Sequence, residues 1–296
     1  MSSDKNLETG PSNSRLSVNF REHSHFLSWD KITVIGELIP RHEKEFQQFI
    51  ATNPYVSVLD VKTDLVKAQL FNNLFYLEYD KIKGKTHQRR NMRIEFNPNY
   101  CSEDALQFFV KHIVRLMSDV GFSRLDLALD IDKNLKSFYV ASNGSSKHTV
   151  FYGRDGSPET KYFGVRESDR YIRLYNKKQE RKDNANEEVT AADLWRLEFQ
   201  LKRDMVNQWE TIADDLIIKQ PDWHSIADIR TRSFVYMLLH EEDQWGELSR
   251  PVKAKYRKII REMEGEDLTV FVQQAIKKEA LRLRQQLENW TGNKLI

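Results

Sequence analysis

The sequence predicts an α+β protein: a mixed, largely antiparallel sheet with packed helices, followed by a mostly helical C-terminal domain. Between residues 26 and 202, short runs rich in β-branched and aromatic residues alternate apolar with polar side chains, the mark of half-buried strands. Within that stretch, segment 102–121 instead spaces its apolar residues by three and four. Beyond Arg203 the periods become helical.

Residues 1–17 are rich in Ser, Asn, Asp and Glu and lack the apolar segment of a signal peptide, so a disordered tail is expected there. Segment 26–38 (FLSWDKITVIGEL) reads as a strand, and Pro40 separates it from a helical pattern at Phe46, Phe49 and Ile50. NLFYLEY (73–79) and MRIEF (92–96) read as strands of a hairpin joined by the polar connector 81–91. Ser102 caps the next expected helix, Glu103 and Asp104 suit its positive end, and Gly121 stops it after Leu106, Phe109, Ile113, Leu116, Met117 and Val120. Segments 124–132, 149–154, 160–165, 171–177 and 194–202 follow as strands of an antiparallel meander, with 177–190 (KKQERKDNANEEVT) expected as a solvated loop. Helices are expected at 205–218, 233–239, 252–263 and 268–290, with Pro221 and Pro251 as breaks. A length of 296 residues with 40% hydrophobic content suits two domains, placed here at 18–202 and 203–296.

Composition narrows the function. With 46 Lys+Arg against 44 Asp+Glu the net charge is only +2, so any nucleic-acid surface must be local. A single cysteine, Cys101, excludes an internal disulfide or a Cys-based zinc cage and favours a reducing compartment. The apolar runs, such as 235–239, fall far short of the roughly 20 residues of a membrane helix. A cytoplasmic protein with no membrane partner is expected.

Chemistry is expected on the polar strand faces. Period two places Arg124, Asp126 and Asp130 opposite Leu125, Leu127 and Leu129; Tyr171, Arg173, Tyr175 and Lys177 opposite Ile172 and Leu174; and Arg196, Glu198, Gln200 and Lys202 on one side of 196–202. On one sheet these would offer carboxylates, a tyrosine and cations, an inventory suited to phosphodiester chemistry. Oxygen ligands are those Mg²⁺ or Mn²⁺ prefer, and cations around a phenol assist its attack on phosphate. The same polarity is also what any half-solvated antiparallel sheet displays.

Segments RLDLALD (124–130), KYFGV (161–165), YIRLYNKKQERK (171–182), LWRLEFQLKRD (194–204) and YMLLHEEDQWGEL (236–248), in this order, resemble the Rep_trans replication initiators of small Gram-positive rolling-circle plasmids, typified by staphylococcal plasmid proteins. The resemblance implies origin-specific nicking and closing of DNA through a 5′-phosphotyrosine, dependence on Mg²⁺ or Mn²⁺, action as a homodimer, and a host helicase as partner. It implies that Tyr175, in Arg173-Leu174-Tyr175-Asn176-Lys177-Lys178, is the nucleophile, with Arg173 and Lys177 beside it. The strand faces, rather than the resemblance, select Asp126, Asp130 and Glu198 as metal ligands. His23-Ser24-His25 reads as ordinary surface rather than a histidine metal pair.

Two basic stretches are candidate DNA contacts: 81–93, including Arg89 and Arg90, and 250–261, with Lys253, Lys255, Arg257 and Lys258 on a helix able to enter a major groove. Either is also readable as a solvated charged face. Trp209, Trp223, Trp245 and Trp290 are expected in the core of the helical domain. No Gly-rich phosphate loop is present, so ATP is not expected as a cofactor. Two other functions fit the same residues: a non-enzymatic origin-binding initiator and a metal-dependent hydrolytic nuclease.

Overall fold

The computed structural model describes residues 25–86, 90–142, 148–154, 156–185, 191–241 and 243–293. The expected 1–17 tail lies outside them. In chain order the elements are β1 (His25–Leu38), α1 (Glu43–Thr52), β2 (Val56–Lys62), β3 (Leu65–Leu70), β4 (Phe75–Asp80), α2 (Lys81–Thr86), β5 (Met92–Phe96), α3 (Glu103–His112), β6 (Met117–Ile131), β7 (Tyr139–Ser142), β8 (His148–Tyr152), β9 (Pro158–Phe163) and β10 (Arg170–Asn176). There follow α4 (Lys177–Ala185), β11 (Trp195–Lys202), β12 (Leu216–Pro221), α5 (Ile229–His240), α6 (Gln244–Glu247), α7 (Arg250–Glu262), β13 (Gly265–Asp267) and α8 (Thr269–Trp290). An antiparallel sheet with packed helices precedes a mostly helical C-terminal region, as the sequence predicts.

Two compact units divide the chain: Met1–Asp130 with Glu198–Trp209 and Glu279–Ile296, and Ile131–Leu197 with Glu210–Lys278. In the first, strands run in the order β2-β3-β4-β5-β1-β6-β11. The pairs from β2 to β1 are antiparallel, so Phe75, Leu77, Ile94 and Phe96 share one side and Tyr76, Glu78, Arg93 and Glu95 the other. Aromatic packing anchors the apolar side: Phe75 stacks on Phe109 of α3 at 5.1 Å, and Trp290 of α8 meets Phe96 at 5.9 Å. Trp29 of β1 packs edge-on against Trp209 at 5.2 Å and donates through Nε1 to Leu283 O at 3.2 Å. Trp209 and Trp290 are thus core residues, but of this unit rather than of the helical region.

Tertiary pairing overrides local periodicity at several places. The helix expected to reach Val120 stops at His112, and Met117 and Val120 are buried in strand β6. Neighbouring β1 explains the change: Gly36 has no side chain, and a Cβ there would lie 2.6 Å from Met117 Cε and 3.0 Å from Ser118 O. Likewise 205–218 is not a helix; a 3-10 segment, Arg203–Thr211, leads to β12, which pairs with β7 and buries Leu216 and Ile218. The hairpin β2-β3 has no counterpart in the sequence expectation.

In the second unit, β8, β9 and β10 are antiparallel neighbours, and β13-β12-β7 form a small sheet. Helices α5, α6 and α7 enclose Val235, Leu238, Trp245, Ile260 and Met263. The expected loop 177–190 begins instead as helix α4. Asn176 Oδ1 accepts from Gln179 N at 3.0 Å as an N-cap, Lys177 pairs with Glu180 at 2.7 Å, and Gln179 donates to Asp183 at 2.8 Å. Such a helix lacks the apolar face by which periodicity is recognised.

Candidate active site and DNA-binding surfaces

Tyr175 belongs to the second unit, near the end of β10. Alternation buries Ile172 and Leu174 and leaves Tyr171, Arg173 and Tyr175 half-buried on the opposite side. The Arg173 guanidinium carbon and the Lys177 ammonium each lie 5.7 Å from the Tyr175 ring centroid. This is the tyrosine between cations expected from the sequence, and both cations are within cation–π range. Tyr171 is the other phenol of β10 on that side. Its burial, with Tyr162 next to it, raises its pKa above the ordinary tyrosine value despite Arg173 and Arg166, so it is less suited to ionise. Burial likewise pushes the Cys101 thiol up to about 12, which disfavours its thiolate.

The carboxylates belong to the first unit, and here the picture of solvated polar faces is corrected. This polar side is buried where the acids sit: Asp126 is 1% exposed, Asp130 5% and Glu198 1%. Buried charge demands a partner. Arg124 supplies it for Asp126 through a bidentate pair, Nε to Oδ1 at 2.8 Å and Nη2 to Oδ2 at 2.5 Å. Burial opposes the charge on Arg124, but Asp126, with Glu95 and Glu198 also near enough to act, more than offsets this and raises its pKa. Among the described residues, no group of three or more His, Cys, Asp or Glu side chains is arranged to hold a metal ion. Asp126, Asp130 and Glu198 therefore do not form the three-ligand set expected from the strand faces, and both oxygens of Asp126 are engaged by Arg124.

Glu95 belongs to the same polar side. Burial raises its pKa, yet a hydrogen bond from Lys31 and the charges of Arg93, Lys31 and Arg124 hold the carboxyl below its ordinary value. A depressed acid contributes stability that is complete above the unfolded-state value, about 4.3, and lost as pH falls through the lower native value. Thermal melts should therefore show stability falling in acid, with Glu95→Gln flattening the dependence below pH about 4.

The basic stretches fare differently. Arg89 lies outside the described residues. Arg90 is bidentate to Asp119 at 2.7 and 2.9 Å, Lys81 pairs with Glu43 at 3.0 Å, Lys83 with Glu78 at 2.6 Å, and Arg93 with Glu95. Much of that charge is spent within the protein. On α7, Tyr256 and Ile260, followed by the C-cap Met263, recur at helical spacing toward the core, while Lys255, Arg257, Lys258 and Arg261 are exposed. Lys258 has only a 3.9 Å contact to Glu262, and Lys253 is half-buried with Nζ donating to Gly246 O at 3.3 Å.

The relatives say to which class of protein a chain with this tyrosine strand and basic helix belongs. Residues 31–117 match the family described as replication initiation protein, N-terminal, and residues 131–291 match Rep_trans, described as replication initiation factor. The chain belongs to this family of replication initiation factors. It is 44% identical over 288 residues to a replication initiation protein of Staphylococcus aureus, spanning 97% of this chain and 93% of that relative. A second such protein from the same organism is 43% identical over 292 residues, spanning 97% and 92%. A rolling circle replication initiator protein from Geobacillus stearothermophilus has a solved structure that aligns with a TM-score of 0.42 at 19% identity, covering 65% of this chain and 80% of that one.

The pairing of Arg124 with Asp126 is not among the roles expected from the sequence. Their i,i+2 spacing on one strand face signals it; the burial of that face does not show in the pattern.

Proposed function

We propose that this protein initiates rolling-circle plasmid replication by nicking origin DNA with Tyr175. The observation that carries the reading is Tyr175 held between Arg173 and Lys177 in a chain of the replication initiation factor family. In this mechanism the phenolic oxygen attacks the scissile phosphate, an O–P bond forms to Tyr175 as the P–O3′ bond breaks, the phenol gives up its proton to solvent, and the leaving 3′ oxygen takes one from solvent to become a 3′-hydroxyl. Arg173 and Lys177 offset the negative charge that develops on phenol and phosphate. The bond energy is kept in the phosphotyrosine, so closing needs no ATP. The family suggests dependence on a divalent cation, while among the described residues no group of three or more His, Cys, Asp or Glu side chains is arranged to hold one. A homodimer would supply the second tyrosine that closes the displaced circle, and a host helicase would unwind the duplex ahead of the 3′ end.

Incubating the protein with single-stranded origin oligonucleotide and Mn²⁺ should give a covalent adduct. Intact DNA would instead identify a non-enzymatic origin binder, and free cut ends a hydrolytic nuclease.

Origin binding is assigned to α7. Exchanging Lys255, Arg257 and Lys258 for alanine should weaken duplex binding and reduce the slope of log affinity against log salt by up to about three, near one per lost phosphate contact. An unchanged slope with unchanged preference for the origin would remove this helix from DNA recognition.

A further inference from the structure

The strands that carry Tyr175 also carry aromatic rings that the nicking chemistry does not use. Partnered residues on antiparallel neighbours project to the same side of a sheet. Phe151 stands opposite Thr160 and Thr149 opposite Tyr162, while Tyr162 stands opposite Arg173 and Thr160 opposite Tyr175. Phe151, Tyr162, Arg173 and Tyr175 therefore share one side, and Tyr171, two residues before Arg173, joins them. The other side sends Phe163, Ile172 and Leu174 into the core.

The rings form a continuous run across β8, β9 and β10. Tyr162 and Tyr171 are stacked, with centroids 5.5 Å apart and planes inclined by 7°, and Phe151 meets Tyr162 edge-on at 5.5 Å. Phe151 is 57% exposed, although a ring of this size is ordinarily placed inside. Positive charge borders the run at Arg173 and at Arg166, whose field reaches Tyr171. Tyr171 is four residues from Tyr175, roughly 13 Å along the strand.

We propose that Phe151, Tyr162 and Tyr171 form a stacking platform for unpaired bases of the DNA strand beside the bond cut at Tyr175, with Arg173 and Lys177 meeting its phosphates. Aromatic faces flanked by cations are the chemistry of single-strand binding, tolerant of sequence because every base presents a π-face. Duplex DNA cannot use the platform, since its bases are already stacked on one another. The platform's place beside the cleaved bond rests on Tyr175 being the nucleophile; its binding of unpaired bases does not.

The test uses the full chain carrying Tyr175→Phe, so that no cleavage intervenes, and fluorescence anisotropy with a labelled single strand of the plasmid's nick region and the matching duplex. Phe151→Ala and Tyr171→Ala should each weaken single-strand binding about tenfold, leaving duplex affinity and the salt slope unchanged because no phosphate contact is lost. Tyr171→Phe and Phe151→Tyr, which keep the ring, should retain affinity. Abasic residues beside the nick should erase the difference between parent and alanine variants. Unaltered single-strand affinity in both alanine variants, or an equal loss on duplex, with folding verified by circular dichroism, would overturn the platform. Adduct formation by the wild-type chain is scored separately. An adduct with ring-independent binding removes the platform and leaves the nucleophile, whereas ring-dependent binding without an adduct keeps a base-stacking platform and removes the nucleophile.

Discussion

Tyr175→Phe is expected to abolish the covalent protein–DNA adduct, lowering nicking by roughly 10³-fold or more, while origin binding stays near that of the parent chain. Only the hydroxyl is removed. The ring remains between Arg173 and Lys177, 5.7 Å from each, so the local packing and the cations that would meet phosphate are retained. Denaturing gels with labelled single-stranded origin DNA read the adduct, and gel shifts on duplex read binding. Full adduct formation by the Tyr175→Phe variant would move the nucleophile elsewhere. Tyr171 shares the same side of β10, but its raised pKa argues against a ready exchange of roles.

The second large effect concerns the inside of the first unit. Asp126→Ala should destabilise the metal-free protein by about 3 kcal/mol, because it leaves the guanidinium of Arg124 partly buried without its bidentate partner. The Asp126 side chain is 2% exposed and that of Arg124 26%, which places the cost toward the lower end of values for broken buried pairs. Chemical denaturation without metal measures it. Replacing both residues, Arg124→Met with Asp126→Leu, should cost less than Asp126→Ala alone, since the guanidinium is removed together with its bidentate partner. A residue serving purely as a metal ligand behaves in the opposite way: its removal from the metal-free protein relieves repulsion and leaves stability unchanged or higher. Unchanged stability of Asp126→Ala would therefore defeat the structural assignment and restore Asp126 to the metal.

By itself the sequence determined the class of fold, the β4–β5 hairpin, the cap of α3 at Ser102, the basic face of α7, and Tyr175 flanked by cations. Each is written within a few residues: alternation, a capping serine, or i and i+2 neighbours on one strand. Tertiary structure alone decided where pairing overruled periodicity. Met117 and Val120 satisfy a helical pattern and, three residues apart, do not share one side of a strand, yet beside β1, where Gly36 carries no side chain to meet Met117, both are buried in β6. The fate of Asp126 was equally hidden, because period two separates the two sides of a strand without telling whether the polar side meets water. Neighbouring strands and covering elements settle that, and they turned an expected solvated metal face into a buried ion pair. The rings of Phe151, Tyr162 and Tyr171 lie apart in sequence, and only the registers of β8, β9 and β10 bring them onto the side that carries Tyr175.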